Sequence, residues 1–277
     1  GERLEEVKQT KRRSRYRRVE EKPGMILMER DRQIVLAVWK HRFLRRDQIE
    51  RLFFNGLVSG CNRRLIRLFQ HGYLDRIFKP VIFGGCQAVY VLDKEGANLV
   101  AREMGFDPRS INWRRKNRVE TLFMDHVLTV SEFYVKLTLL TKENPETRLV
   151  FYQRESKKLM GRVADPDGRR KYLTVSPDAF FCVENEKGRS YFFLEADMGT
   201  MALSRFQEKI IAYRQYWKTG KYSEKFGHNN FRVVTVCDKK KRLENLEKVT
   251  REAGGRGMFI FLDLESDLTV SGSPFWV

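Results

Sequence analysis

The sequence lacks the residue spacings that mark several common protein classes. It has only four cysteines and four histidines in 277 residues, and neither set contains a closely spaced pair. This spacing excludes CxxC and HExxH zinc sites, a histidine-hydrophobic-histidine metal site and a disulfide framework. No glycine-rich phosphate loop is present, which argues against a nucleoside triphosphatase. The separated cysteines are typical of buried thiols in a reducing compartment.

Long apolar stretches are also lacking. No run approaches the ~20 apolar residues that a membrane helix needs, and no signal peptide is visible. The hydrophobic content of 42% is enough for two separate cores in a chain of 277 residues. We therefore expect a cytoplasmic, two-domain protein that does not associate with a membrane.

Acidic residues are outnumbered by basic ones, and the excess is uneven along the chain. The net charge is +18, and residues 1–120 carry 28 Lys and Arg against 15 Asp and Glu. Residues 121–277 carry 26 against 21 and are nearly balanced. A basic first half joined to a balanced second half indicates a phosphate-binding domain followed by a different domain. Double-stranded DNA is the expected partner.

Residues 25–118 have the pattern of a winged helix-turn-helix domain. Three short segments have apolar residues at helical spacing, and two apolar strands follow around a glycine turn. Asn55-Gly56 marks a turn, and Ser59 is a suitable N-cap for the third helix. The expected helices are 29–43, 44–53 and 59–70, and the expected wing strands are 77–83 and 87–92 around Gly84-Gly85.

The third helix of this pattern carries a polar and basic face. Asn62, Arg63, Arg64 and Arg67 point away from its apolar residues, and Lys79 lies on the wing. In winged helix domains the recognition helix enters the major groove and the wing touches the backbone. These five residues are therefore the predicted DNA contacts. A winged helix used for protein contacts is the alternative.

The segments flanking this domain are also basic. Residues 1–24 are predicted to be a flexible basic arm, and 94–105 to be a helix. Residues 109–118 are predicted to be a basic linker to a second domain at 119–277.

The second domain contains three carboxylates that a hairpin brings together. Residues 176–183 and 190–196 are apolar, aromatic-rich strands separated by the polar loop ENEKGR. Pairing centred on this loop puts Asp178 opposite Glu195 or a residue next to it. Because side chains two apart on a strand share a face, Asp197 can join them. The alternative is that Asp178 ends a turn while the other two acids lie on a solvated strand face.

Converging carboxylates need a cation or a raised pKa to relieve their repulsion. Hard oxygen ligands suit Mg²⁺ or Mn²⁺, with Asp178 and Glu195 as the expected ligands. The next helix, about 202–217, has Leu203, Phe206, Ile210, Tyr213 and Trp217 at helical spacing, with Lys209 at the edge of this face. The pattern thus predicts a metal site with a lysine beside it.

This second half resembles the restriction-endonuclease-like, or PD-(D/E)XK, nuclease core. Pro177-Asp178 corresponds to PD, and Glu195-Ala196-Asp197 to (D/E)XK, except that Asp197 stands in the place of the lysine. The resemblance implies that Lys209, which lies on the following helix, performs the role of that lysine. Gln207 and Tyr213 are similar to the helix glutamine and tyrosine of RecB-like members. The implied fold is a mixed sheet flanked by helices, an α/β and α+β architecture.

With the basic domain in front and the string EADMGT at 195–200, the chain resembles the replication-relaxation family over about residues 30–265. The resemblance implies a role in replication, relaxation or transfer of plasmids and mobile elements. Other replication or transfer proteins are then possible partners, and a homodimer is a possible assembly.

Three hypotheses follow for the second domain. The first is metal-dependent nicking or cleavage of DNA by Asp178, Glu195, Asp197, Lys209 and Gln207. The second is a degenerate nuclease fold that serves as an interaction or dimerisation platform. The third is a tyrosine nucleophile at Tyr213 or Tyr216. His126, Glu132 and Glu155 are further site candidates, and for His126 a purely structural role is the alternative.

Overall fold

The structure is a computed structural model that describes residues 16–79, 87–270 and 273–276. It is a mixed α/β protein in which a multi-stranded mixed sheet is flanked by helices.

The described residues of the first part of the chain form four helices and a small antiparallel sheet. Apolar residues spaced three and four apart, such as Ile34, Val38, Leu65 and Leu68, are fully buried between the helices. The strand order is β1-β3-β2. The elements are α1 (Glu29–His41), β1 (Leu44–Arg45), α2 (Arg46–Phe53), α3 (Val58–Gln70), β2 (Leu74–Phe78), β3 (Ala88–Leu92) and α4 (Lys94–Met104).

Two local predictions for this part were wrong. Leu44 and Arg45 do not open the second helix, because they pair with β3 as a short strand. Ser59 is not the N-cap of α3, which begins at Val58 after Leu57 and has no side-chain cap. The predicted Gly84-Gly85 turn lies outside the described residues.

The segments on either side of this region are more structured than predicted. Residues 1–15 of the predicted arm lie outside the described residues, but residues 18–23 contact the end of α3. Arg18 donates to the Phe69 carbonyl at 2.7 Å, and the Val19 N–H donates to Gln70 at 2.8 Å. The predicted linker contains a 3-10 helix (Pro108–Ile111) and the short helix α5 (Trp113–Asn117).

The second part of the chain is built on a five-stranded sheet in the order β10-β9-β8-β7-β4. The β4, β7 and β8 strands are antiparallel, whereas β9 and β10 run parallel to β8. The main elements are α6 (Thr121–Glu143), β4 (Arg148–Arg154), β7 (Ala179–Asn185), β8 (Gly188–Ala196), α7 (Leu203–Lys218), β9 (Arg232–Cys237), α9 (Lys240–Glu252) and β10 (Phe259–Asp263). Smaller additions that the sequence pattern did not predict are β5 (Gly161–Ala164), β6 (Tyr172–Val175), α8 (Lys221–Phe226), β11 (Thr269–Val270) and β12 (Ser273–Pro274).

Both faces of the five-stranded sheet are covered. Phe133 of α6 packs with Phe181 and Phe192 on one face, and Phe206 of α7 packs near Phe193 on the other. This double burial explains why β7 and β8 are apolar at successive positions and do not alternate. The prediction that Trp217 belongs to the buried face of α7 was wrong, because its side chain is 51% exposed.

The long helix α6 joins the two parts. Phe43 and Val89 from the first part form a buried cluster with Met124 and Val127 of α6. Among the helices of the described residues, none is long and apolar enough to cross a bilayer.

Candidate functional site

Asp178 and Glu195 lie side by side where β7 begins and β8 ends. The hairpin pairs Ala179 with Leu194, so Asp178 precedes the ladder at the level of Glu195. The Asp178 N–H donates to the Leu194 carbonyl at 2.9 Å, and the Ala196 N–H donates to Asp178 Oδ2 at 2.8 Å. Opposed side chains of an antiparallel pair are about 5 Å apart at Cβ. The hairpin therefore places both carboxylates together, as the spacing predicted.

Glu195 is held by two side chains from α7. The Tyr213 hydroxyl donates to Glu195 Oε1 at 2.6 Å, and the Lys209 ammonium donates to Oε2. Lys209 and Tyr213 are four residues apart, so they lie on one face of the helix. The Glu195 side chain is only 5% exposed. Glu195 is therefore a buried acid with a hydrogen-bond donor on each carboxylate oxygen.

Burial and charge act in opposite directions on this cluster. Burial, with a further contribution from the Asp178 carboxylate, raises the pKa of Glu195 although Lys209 counteracts it. Burial alone would lower the pKa of Lys209, but the Glu195 and Asp178 carboxylates raise it above its usual value. Lys209 is therefore a fixed cation at neutral pH. Burial and Glu195 also raise the pKa of Tyr213.

His126 of α6 completes the cluster from the edge of the sheet. Its Nε2 lies 3.3 Å from Asp178 Oδ1, and this contact raises the pKa of His126. Glu155 lies next to this pair, since its N–H donates to the Asp178 carbonyl at 2.8 Å. We call His126, Asp178, Glu195, Lys209 and Tyr213 the carboxylate cluster.

Asp197 lies outside the carboxylate cluster. Its two oxygens accept from Arg242 of α9, both at 2.9 Å, and Oδ1 also accepts from the Gly199 N–H at 2.7 Å. Gly199 has φ of 76°, a conformation that favours glycine. The EADMGT string therefore forms a turn that Arg242 fixes. The prediction that Asp197 joins Asp178 and Glu195 was wrong, because Arg242 binds its carboxylate.

Two other predicted site residues also lie elsewhere. Gln207 is exposed and, two positions before Lys209, lies on the other side of α7. Glu132 accepts from Arg51 at 2.7 and 2.9 Å, from Arg45 at 2.9 Å and from Gln48 at 3.0 Å. It links α6 to α2, and the structure does not bring it to Asp178.

The second candidate nucleophile, Tyr216, is separate from the cluster. Its hydroxyl is buried and, within the described residues, has no hydrogen-bond partner. Burial raises its pKa to about 12. A phenol in these surroundings is a poor nucleophile, because the phenolate form is disfavoured.

The cluster contains two carboxylates of the chemical kind that binds a metal ion. Within the described residues, no group of three Asp, Glu, His or Cys is arranged to hold one. Mg²⁺, however, commonly uses one or two carboxylates together with water and phosphate oxygens. Thr235, the neighbour of Glu195 on β9, has a buried hydroxyl without a hydrogen-bond partner in the described part of the chain. A hydroxyl oxygen next to Glu195 is of the kind that suits a hydrated Mg²⁺ or Mn²⁺.

The predicted DNA contacts differ in their surroundings. Asn62 and Arg63 are exposed on α3, and Arg67 is half-buried. Arg64 is drawn inward, because its Nε donates to the buried Asp31 at 2.6 Å and its Nη2 to the Ile26 carbonyl at 2.6 Å. Arg64 is therefore a structural residue that joins α3 to α1.

Lys79 and Arg30 are two further basic residues of the first part of the chain, and the sequence pattern indicated only Lys79 as a DNA contact. Lys79 forms an ion pair with Asp125 of α6. Arg30 of α1 is exposed and lies over the Phe54 ring, 4.9 Å from its centroid. It lines a shallow pocket with Arg63 and Arg67. Sequence reasoning missed Arg30 because a single arginine at the start of α1 does not reveal which tertiary neighbours it will have.

Residues 37–234 match the replication-relaxation family. This span exceeds half of the chain, so the protein belongs to the replication-relaxation family. Membership indicates a DNA-related role in the replication of a plasmid or mobile element. No curated protein and no solved structure matches the chain.

Proposed function

We propose that the protein binds duplex DNA through its first part and nicks or cleaves DNA with the carboxylate cluster of its second part. The observation that carries the nuclease proposal is the meeting of Asp178, Glu195, Lys209 and His126. These side chains come from four different segments, yet they converge on one place.

The DNA-binding proposal rests on topology and exposed charge. The order α1-β1-α2-α3-β2-β3, with strands arranged β1-β3-β2, is typical of a winged helix-turn-helix. In this reading α3 is the recognition helix and β2-β3 form the wing. Asn62, Arg63 and Arg67 then face DNA, with Arg30 beside them.

Salt dependence tests this interface. Each lost phosphate contact should lower the slope of log K against log salt by about 0.9. Arg63→Ala with Arg67→Ala should therefore weaken duplex binding and reduce the slope by up to about 2. The matched control is Arg102→Ala with Arg109→Ala, two exposed arginines outside α3. Equal effects of the two pairs would place the interface elsewhere.

The nuclease proposal rests on the burial of charged side chains in the second part of the chain. Burying two carboxylates with a lysine is expensive compared with apolar packing of the same volume. Such a cluster at the edge of a mixed sheet is typical of a functional site. The sheet, the hairpin carboxylates and the helix lysine also fit a PD-(D/E)XK-like core, with Lys209 in place of the usual strand lysine.

The chain's own residues would have distinct roles in the reaction. Asp178 and Glu195 would hold the metal ion and orient it toward a scissile phosphate. Lys209, a fixed cation, would stabilise negative charge on the phosphate or orient the attacking water. Tyr213 keeps Glu195 in position through its 2.6 Å hydrogen bond. When bound, Mg²⁺ or Mn²⁺ supplies Lewis-acid stabilisation of the phosphoryl oxygens and a more acidic water.

Nicking of supercoiled plasmid tests the enzyme proposal. The substrate should carry the replication region of the protein's own element, with Mg²⁺ or Mn²⁺ added. The wild type should convert it to the open circle, and Asp178→Asn, a near-isosteric change, should not. Asp165→Asn is a suitable control because Asp165 lies on the loop after β5. Nicking by Asp178→Asn at the wild-type rate would contradict the proposal.

A non-catalytic platform is the second candidate, and a specific observation favours it. All four oxygens of Asp178 and Glu195 already have protein partners: His126, the Ala196 N–H, Lys209 and Tyr213. In this reading Lys209 permanently replaces the metal. The same plasmid assay separates the two candidates, because a platform binds the DNA but never nicks it.

A further inference from the structure

A second basic site lies at the other end of the central sheet. A cleft of about 590 Å³ opens where β8, β9 and β10 begin. Arg189 in this cleft is six residues from Glu195 on β8, which is about 20 Å along an extended strand. The cleft is therefore separate from the carboxylate cluster.

Among the described residues, the lining of the cleft is rich in cations and includes no acidic side chain. An aromatic side chain, Trp217, lies at the C-terminal end of α7 and is 51% exposed. Field lines from like charges are concentrated in a cleft, which favours an anionic ligand. The basic residues of the lining are Arg189, Arg214, Lys218, Arg232 and Arg256.

Three of the basic side chains are held by protein partners, and the other two are exposed at the rim. Arg214 donates to the Ala253 carbonyl at 2.7 Å, and Arg189 donates to Glu184 at 2.8 Å. Arg232 lies over the Phe192 ring, 5.2 Å from its centroid. Lys218 and Arg256 are exposed at the rim. Arg214 and Arg232 give the cleft positive charge at fixed places, whereas the charge of Arg189 is offset by Glu184. The two rim residues can adjust to a ligand.

Gly254 packs directly against one of these cations. Gly254 has φ of 74°, and a Cβ there would lie 2.9 Å from the Arg214 guanidinium. Its positive φ favours glycine, and a larger residue would also have to displace the Arg214 side chain.

We propose that this cleft binds a short segment of single-stranded DNA. Exposed tryptophan beside several cations is the combination that holds unpaired bases and their phosphates. A base would stack on Trp217, and the adjacent phosphates would pair with Lys218 and Arg256. A duplex does not offer this face of a base, because its bases are stacked on each other. A volume of about 590 Å³ is within the range of small-ligand pockets. This inference does not depend on nicking activity.

Tryptophan fluorescence of the full chain tests the stacking. A short oligothymidylate should quench the emission of the wild type. Trp217→Phe should remove most of this quench but keep an aromatic surface for stacking, and Trp217→Ala should weaken binding about tenfold. Measurements in the Arg63→Ala, Arg67→Ala background keep the α3 surface from contributing. Full quenching in Trp217→Phe would contradict the proposal.

Salt dependence tests the phosphate contacts separately. Lys218→Ala with Arg256→Ala should lower the slope for the oligonucleotide by about 1.4, or ~0.7 per contact. Lys248→Ala, at an exposed position of α9 outside the lining, should leave the slope unchanged. A duplex of the same length should compete poorly. Equal competition by the duplex, or an equal change of slope per charge in Lys248→Ala, would overturn the assignment to single strands. Because Trp217, Lys218 and Arg256 are exposed, these variants should fold normally.

Discussion

Lys209 of α7 and Glu195 of β8 form an ion pair in the interior of the protein. Lys209 is 27% exposed, whereas Glu195 is almost fully covered. The lysine therefore reaches from the rim to a carboxylate that water barely contacts. In the proposed nuclease site, the lysine of the usual strand position is replaced by Lys209 on α7. The ion pair with Glu195 brings the Lys209 ammonium next to a proposed metal ligand, as that role requires.

The ion pair predicts strongly non-additive stability effects. Lys209→Met should destabilise the protein by about 1–3 kcal/mol, because Glu195 loses a buried hydrogen-bond donor. Combining it with Glu195→Gln should cost less than the sum of the two single changes, since no buried charge remains. Urea unfolding of the four proteins measures this coupling. Additive effects would show that the pair does not form in solution.

A thermal shift distinguishes the proposed metal ligand Asp178 from the structural acid Asp197. Saturating Mn²⁺ at 100 times its Kd would stabilise the wild type by about 2.7 kcal/mol. Asp178→Asn should lose this shift, because it removes a ligand. Asp197→Asn should lower Tm by weakening the contact to Arg242 but should keep the Mn²⁺ shift. The reverse pattern would make Asp197 the metal ligand.

Thr235 offers a near-isosteric test of the same site. Its buried hydroxyl lacks a partner within the described residues, so Thr235→Val should be neutral or stabilising without metal. If the hydroxyl forms a hydrogen bond with a metal-bound water, the increase in Tm on adding Mn²⁺ should be smaller in this variant. A large loss of stability without metal would instead show that the hydroxyl already has a partner.

The contact between the two parts of the chain should depend on pH. Burial would raise the pKa of Glu132, but its hydrogen bonds with Arg51 and Gln48 lower it below the usual value. A depressed pKa contributes stability above about pH 4.3, the unfolded value, and this contribution is lost as pH falls through the folded pKa.

Glu132→Gln should therefore cost about 2 kcal/mol at pH 7. The difference from the wild type should shrink below about pH 4. Unfolding by urea at several pH values checks this, with Glu143→Gln at the exposed end of α6 as the control. A difference that does not change with pH would exclude the ionised carboxylate as its cause.

Features that depend on neighbouring residues in the chain were predictable from the sequence. The register of the β7-β8 hairpin follows from its short polar loop, so the meeting of Asp178 and Glu195 was predictable. The position of Lys209 was predictable because helical spacing fixes it relative to Phe206. Trp217 was misplaced because Tyr216, one position earlier, fills the core, and spacing alone does not distinguish neighbouring aromatics at a helix end.

Long-range partners were not predictable. Arg242 reaches Asp197 from 45 residues further along the chain, and only the packing of α9 on the sheet brings them together. Arg64 looks like a surface residue in the sequence, because nothing local shows that Asp31 is buried beneath it. The prediction of Glu132 as a site candidate was wrong, because its partners Arg45 and Arg51 belong to a different part of the chain.

The most direct test of the account is metal-dependent nicking by Lys209→Ala. The proposed site predicts that this variant loses nicking of its own element's supercoiled DNA with Mg²⁺ or Mn²⁺. Duplex binding should remain, because the proposed interface on α3 is separate from Lys209, and Lys248→Ala should nick normally. Circular dichroism verifies folding, and Asp178→Asn gives the same readout if Lys209→Ala proves unstable. Nicking by a folded Lys209→Ala at the wild-type rate, or no nicking by the wild type, would contradict the account.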